Sequence, residues 1–173
     1  MIKAFKIALI MILFCVCIRI FIGEPCYIPS ESMEPTLYIG DWVWVDKVSY
    51  GALFPSRFSD IPLFNVFTWI KPLRIADEKN NWKNRRFIGF QKPEIRDVIV
   101  FRNPQNRNML LVKRVLSKSV HNGMTFYYVM GDNRNNSLDS RFFGEIPDTF
   151  VIGRVNRILF SLKNKRRTFK TIE

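Results

Sequence analysis

The sequence predicts a mainly β protein, an antiparallel β domain behind one N-terminal transmembrane helix. Three observations predict it. An apolar run from about Ala4 to Ile22 opens the chain, short stretches rich in β-branched and aromatic residues follow, and turn-forming residues separate them. The 173 residues suffice for one domain plus an anchor, and a content of 47% hydrophobic and 14% aromatic residues can build a core.

The apolar run carries Lys6 and Arg19 near its ends, and its uncharged core, Ile7 to Ile18, is shorter than the roughly 20 residues a span requires. Snorkelling of Lys6 and Arg19 to the two interfaces lengthens it. A cleaved signal peptide is the rival reading, but Gly23-Glu24-Pro25-Cys26 offers no small-x-small cleavage site. An uncleaved anchor over residues 1–23 is therefore expected. Lys3 and Lys6 favour a cytoplasmic N-terminus, which puts residues 24–173 on the extracytoplasmic side of the membrane.

Pro29-Ser30-Glu31-Ser32-Met33-Glu34-Pro35-Thr36-Leu37 comes next. Prolines at both ends argue against a helix and stiffen the backbone. If the segment is extended, the Ser30 and Ser32 hydroxyls point the same way. It reads either as a Ser/Pro linker or as a rigid mount for a nucleophile.

Asp41–Val48 alternates and is rich in β-formers, so it reads as a strand. Residues 52–91 read as an irregular, aromatic-rich excursion, with Phe54, Phe58, Phe64, Phe67, Trp69, Trp82, Phe87 and Phe90. These aromatics fit a surface that dips into the head-group layer, or ordinary hairpin packing. Asp97–Phe101, Met109–Leu116 and Thr125–Met130 read as strands of a meander. Asn103-Pro104-Gln105-Asn106 and His121-Asn122-Gly123 supply the turns between them.

Composition narrows the chemistry. A formal net charge of +12 favours anionic partners without choosing among them. The densest basic cluster, Lys163, Lys165, Arg166, Arg167 and Lys170, reads as a solvated tail. Three cysteines, two of them inside the apolar run, make no disulfide framework, and with one histidine a Cys/His zinc site is not expected. A serine triad could use only His121, which falls at a hairpin turn, so an activated serine here calls for another base, with lysine the obvious candidate. Lys113 follows Leu110-Leu111-Val112 in a strand. Facing a core, its amine would be desolvated and its pKa lowered, so that it could accept a serine proton; facing out, it would be an ordinary surface lysine. Gly131–Gly144 is a polar loop directly after a β-forming run, with Ser137, Asp139 and Arg141 at alternate positions.

Taken together, these residues resemble the bacterial type I signal peptidases, membrane-anchored Ser-Lys endopeptidases. PSESMEPTL resembles the nucleophile motif, GDWVWVDK with SYG the strand after it, LVKRV the lysine motif, and MGDNRNNSLDSRFFG the downstream structural motif. They stand in family order behind an anchor and cover about half the chain. The resemblance implies that Ser32 is the nucleophile and Lys113 the general base. Ser30, with the Ser32 backbone N–H, would form the oxyanion hole. Ser137 would orient the Lys113 amine, and Asp139 would pair with Arg141 and Arg114 to hold the loop. Ile28, Met33, Leu37, Leu111 and Val112 would line small apolar pockets for the residues one and three before the cut. The implied fold is the signal-peptidase β domain, its second β domain small or absent. The implied substrates are exported pre-proteins cleaved at the membrane surface, with no cofactor or metal, no nucleic-acid partner, and a monomeric chain on a phospholipid membrane.

Three positions depart from the family pattern. Glu31 stands where a glycine is common between the serines, Arg96-Asp97 replaces a Gly-Asp, and a Gly-Pro-Gly-Asp-type stretch is missing after the lysine motif. A specialised processing peptidase for pilin-like or conjugation proteins is an alternative within the same chemistry. A membrane-tethered basic binding protein is an alternative outside it.

Overall fold

The computed structural model describes residues 2–55, 60–61, 70–79 and 85–172. Helix α1 (Ile2–Cys17) continues through a π-helical turn, Ile18–Ile22, and Lys3–Ile22 make one apolar helix of 20 residues. At about 1.5 Å per residue such a helix reaches ~30 Å, enough to cross a bilayer's hydrocarbon core. Arg19 belongs to its last turn and turns outward, with Nε on Glu24 at 2.8 Å. Lys47 Nζ bonds the other Glu24 oxygen at 2.9 Å and the Arg19 carbonyl at 2.9 Å, tying the helix end to the domain. The chain passes directly from helix to strand at Gly23, where a Cβ would overlap Val45 O and the Trp44 ring.

The domain is mainly β. Its strands are β1 (Gly23–Tyr27), β2 (Asp41–Asp46), β3 (Val98–Arg102), β4 (Leu110–His121), β5 (Met124–Met130), β6 (Ile146–Pro147) and β7 (Val151–Ser161). They form one antiparallel sheet in the order β1-β2-β7-β3-β4-β5-β6. β2 to β5 fall where the sequence predicts strands. β4 and β5 turn at Asn122 (φ 52°) and Gly123 (φ 76°), the left-handed pair that a tight hairpin requires.

Side-chain alternation sends β3 into two cores, because successive residues point to opposite faces. Val98 and Val100 join Val43, Val45, Val155 and Ile158 on one face. Ile99 and Phe101 join Leu111, Val115, Tyr127 and Val129 on the other. Both faces of the central strands are therefore covered, and β4 can carry one residue into each core in turn.

The excursion over residues 52–91 is less irregular than its sequence predicts. It holds α2 (Lys71–Lys79), and Leu53 and Arg86 form an isolated antiparallel bridge. The Arg86 guanidinium bonds the carbonyls of Tyr50, Gly51, Asp148 and Val151. Phe21, at the helix end, makes edge contacts with Phe54 and Phe87 (centroids 6.0 and 5.5 Å), which stack on each other at 5.1 Å. Ile88 and Phe90 are exposed beside them. Phe58, Phe64, Phe67, Trp69 and Trp82 lie outside the described residues.

The C-terminal segment is not a solvated tail. Ile158 N donates to Lys170 O at 2.9 Å, Arg157 bridges Thr171, and Ile172 is buried in the first core. Arg167 pairs with the fully buried Asp41 at 3.0 Å and stacks over Tyr38. The apolar anchor Ile172 and a buried acid for a partner outweigh the cluster's overall charge.

Candidate active site

Ser30 and Ser32 lie in the loop that leaves β1. The segment is a turn rather than extended backbone: Glu34 N donates to Glu31 O at 3.0 Å and Leu37 N to Met33 O at 2.8 Å. Met33 and Leu37, 1% and 0% exposed, are the apolar pegs that seat this turn in the first core. The turn still brings the two hydroxyls together, with Ser30 Oγ 3.4 Å from Ser32 Oγ. Among the described residues no acceptor takes the Ser32 N–H.

Lys113 belongs to the face of β4 that carries Leu111 and Val115, and it is only 2% exposed. Its Nζ lies 2.6 Å from Ser32 Oγ, across 81 residues of sequence. Burial pushes the ammonium down to a pKa of about 8, against the pull of the Asp139 and Asp132 carboxylates. A hydroxyl beside such an amine can lose its proton to it near neutral pH. The sequence leaves the direction of this lysine open; the two-residue period of β4 resolves it inward.

The loop after β5 closes over the pair. Asn133 N donates to Ser32 O at 3.1 Å, and Gly131 sits where a Cβ would overlap Ser32 O and Ser137 Oγ. Asp139 is fully buried; it caps α3 (Ser140–Phe143), accepts Arg141 Nε at 2.8 Å and takes the Gly131 N–H at 3.1 Å. Burial alone would raise its pKa, but the Arg141 bonds, the Ser137 hydroxyl and the Gly131 N–H hold it at about 2. Ser137 Oγ is buried beside that carboxylate, outside strict hydrogen-bond geometry to any described atom, the Lys113 amine included.

Arg114, next to Lys113 but on the other face, grips Asp132 at 2.9 and 2.8 Å, where the family resemblance implies a pairing with Asp139. Asp132 also accepts Thr36 Oγ1 at 2.6 Å, so β4, the serine turn and the β5 loop meet at one carboxylate. Burial raises the Asp132 pKa, yet the bonds from Arg114 and Thr36 leave it below the usual carboxylate value.

The residues expected to line apolar pockets divide between the cores. Ile28, Met33 and Leu37 are in the first core with Val112 packed against it, and Leu111 is in the second. His121 stands exposed at the hairpin, 3.7 Å from Glu145. Among the described residues no cluster of His, Cys, Asp or Glu could hold a metal. Three residues of the site lie outside the sequence prediction: Asp132, Thr36 and Asn133. Each acts through a fold contact between segments about 80 to 100 residues apart in the chain, which no local pattern marks.

Comparisons with known proteins bear on this geometry. The family model described as signal peptidase, peptidase S26, matches residues 1–119 and 116–160. The chain is 35% identical over 142 residues to the Synechocystis sp. protein named Probable signal peptidase I-2, covering 79% of this chain and 63% of that one. It is 33% identical over 153 residues to signal peptidase I of Leptolyngbya laminosa, covering 79% and 68%. It is 28% identical over 228 residues to signal peptidase I of Buchnera aphidicola subsp. Schizaphis graminum, covering 89% and 73%. The chain thus spans about two thirds of the length of these curated relatives.

Proposed function

The chain belongs to the signal peptidase family, peptidase S26, and from that premise we propose that it is a serine endopeptidase that removes signal peptides from exported pre-proteins. The observation that carries this reading is the 2.6 Å contact between Ser32 Oγ and the buried Lys113 amine. Lys113, neutral, takes the Ser32 proton. Ser32 Oγ attacks the scissile carbonyl, and the oxyanion receives the Ser32 N–H and the Ser30 hydroxyl. The Lys113 ammonium then returns its proton to the leaving amine, which departs and leaves an ester on Ser32. A water, deprotonated by Lys113, attacks that ester; the acyl–Oγ bond breaks, the carboxyl product leaves, and the Lys113 ammonium returns the proton to Ser32 Oγ. Asp139 with Arg141, and Asp132 with Arg114, hold the loop and strand that present the dyad. Ser137, whose buried hydroxyl lies beside Asp139, is the residue assigned to orient the amine.

Free strand edges supply a place for the substrate. β4 pairs with β3 from Leu110 to Arg114 but with β5 only from Arg114 onward. Among the described residues no strand pairs with its other edge from Leu110 to Lys113, and β1 is an edge strand of the sheet. An extended peptide can add to such edges by main-chain hydrogen bonds and send alternate side chains toward the two faces, toward Ile28, Met33, Leu37 and Val112 on one and Leu111 on the other. A cavity of about 310 Å³ lies at the far end of these strands, lined by Glu24 of β1, Leu110 of β4 and Arg19 of the apolar helix. The substrate enters from that end, where the helix leaves the bilayer, and runs toward the dyad. Residues 1–23 anchor the enzyme, residues 24–173 face the extracytoplasmic side, and the exposed Phe54, Phe87, Ile88 and Phe90 rest on the head-group layer.

The test is cleavage of a pre-protein by the detergent-solubilised full chain, with the new N-terminus mapped by mass spectrometry. A single cut after a small-x-small sequence, lost in Ser32→Ala, is the expected result. An uncleaved pre-protein, or cleavage that persists in Ser32→Ala, overturns the reading.

A further inference from the structure

Glu31, between the two serines, is exposed, yet it is not loose. Its carboxylate accepts Asn136 Nδ2, and its carbonyl accepts Asn133 Nδ2 at 3.3 Å. Both asparagines belong to the Gly131–Asn136 loop, so Glu31 is held against the wall that faces the serine turn. Asn136 engages Oε1 alone, and as a neutral partner it leaves the carboxylate's charge uncompensated. Among the described residues no Lys or Arg lies within ion-pair distance of Glu31, although the chain has 27 basic residues against 15 acidic ones.

Strand pairing fixes which part of a substrate meets this charge. The free edge of β4 ends at Lys113, because β5 takes the edge from Arg114 on. A peptide laid on Leu110–Lys113 can run up to the dyad but must lift off there. Gly131–Asn136, which leaves β5 at Met130 opposite Arg114, stands in its way. The residues after the cut therefore leave across the surface made by Ser30, Glu31 and the asparagine loop.

We propose that Glu31 is a specificity-determining residue that favours Lys or Arg, and disfavours Asp or Glu, immediately after the scissile bond. Asn136 and Asn133 are its positioning residues: they hold the carboxylate over the exit path. The inference rests on the peptidase reading above and adds a substrate class to it. An exposed ion pair changes a rate by at most about five-fold, and its effect shrinks as salt screens it.

The experiment uses the full chain in detergent and three synthetic peptides. They share one small-x-small sequence before the cut and carry Ala, Lys or Glu after it. The readout is the ratio of kcat/KM for the Lys and Glu peptides at low salt. The wild-type chain should prefer Lys by about five-fold. Glu31→Gln, which keeps the Asn136 amide bond, should bring the ratio near one, and Glu31→Lys should invert it. Asn136→Ala should lower the ratio toward that of Glu31→Gln. A ratio equal in the wild type, Glu31→Gln and Glu31→Lys, with the Ala peptide still cut, overturns the inference and leaves the peptidase reading standing. Failure of the wild type to cut even the Ala peptide overturns both.

Discussion

Arg167 and Asp41 stand 126 residues apart in sequence and pair at 3.0 Å, and the same Arg167 nitrogen donates to Thr36 O at 2.7 Å. Asp41 also accepts the Tyr38 N–H at 3.0 Å. The C-terminal segment thus holds the far end of the turn that carries Ser32. Asp41 is 0% exposed, so removing the guanidinium strands a buried carboxylate. Arg167→Met should cost about 3 kcal/mol by chemical denaturation, and Asp41→Asn added to it should restore part of that loss. Equal stability of Arg167→Met and wild type would show the pair to be inconsequential.

In the proposed mechanism Lys113 is the general base and sets the pH profile. A neutral Lys113 is required, so kcat/KM for cleavage should rise with pH through an apparent pKa of about 8. Stability follows the same group with a definite sign. Between about 8 and 10.5 the unfolded chain binds a proton at this lysine that the folded chain does not, so stability should rise with pH across that window. Lys113→Met should remove the rise, as followed by thermal unfolding at several pH values.

Asp139 has the same sign in an acid window, since its pKa is also lowered on folding and stability again rises with pH. Its folded pKa, about 2, lies below the ordinary 3.8, so its contribution is present above 3.8 and lost as pH falls through about 2. Asp139→Asn should flatten the acid limb of stability over that range. Arg141 is more exposed, at 36% of its side chain against 0% for Asp139. Arg141→Ala should therefore destabilise more than Asp139→Asn, because it strands a buried carboxylate, whereas water can solvate an unpaired Arg141. Denaturation of the two variants at pH 7 checks the order.

In the proposed mechanism Ser30 donates to the oxyanion, and such donors contribute to the chemical step rather than to folding. Ser30→Ala should lower kcat by about 10²–10³ with KM nearly unchanged. Single-turnover kinetics on a pre-protein separates the two. An equal kcat would remove Ser30 from the oxyanion hole.

Much of this was legible in the sequence. The strands β2 to β5 carry alternation and turn residues, and both survive in the sheet. β1 escaped because Gly23 and Pro25 mask an edge strand, and β7 because Gly153, Arg154, Asn156 and Arg157 interrupt its apolar pattern. The inward direction of Lys113 needed the sheet, since a strand's period places a residue only once one face is assigned. The serine motif was legible by residue type but not by conformation: it is a turn pegged by Met33 and Leu37. The Arg114–Asp132–Thr36 junction and the Arg167–Asp41 pair are long-range contacts between charged residues that look like ordinary surface residues in sequence.

The most direct test is the initial rate of pre-protein cleavage by folded Lys113→Met at pH 8. Methionine keeps the length of the side chain and removes the amine, so packing against Leu111 and Val115 can persist. Loss of the general base should reduce the rate by at least about 10²-fold while the thermal transition remains cooperative. Cleavage within a few-fold of wild type would contradict a Ser32–Lys113 dyad.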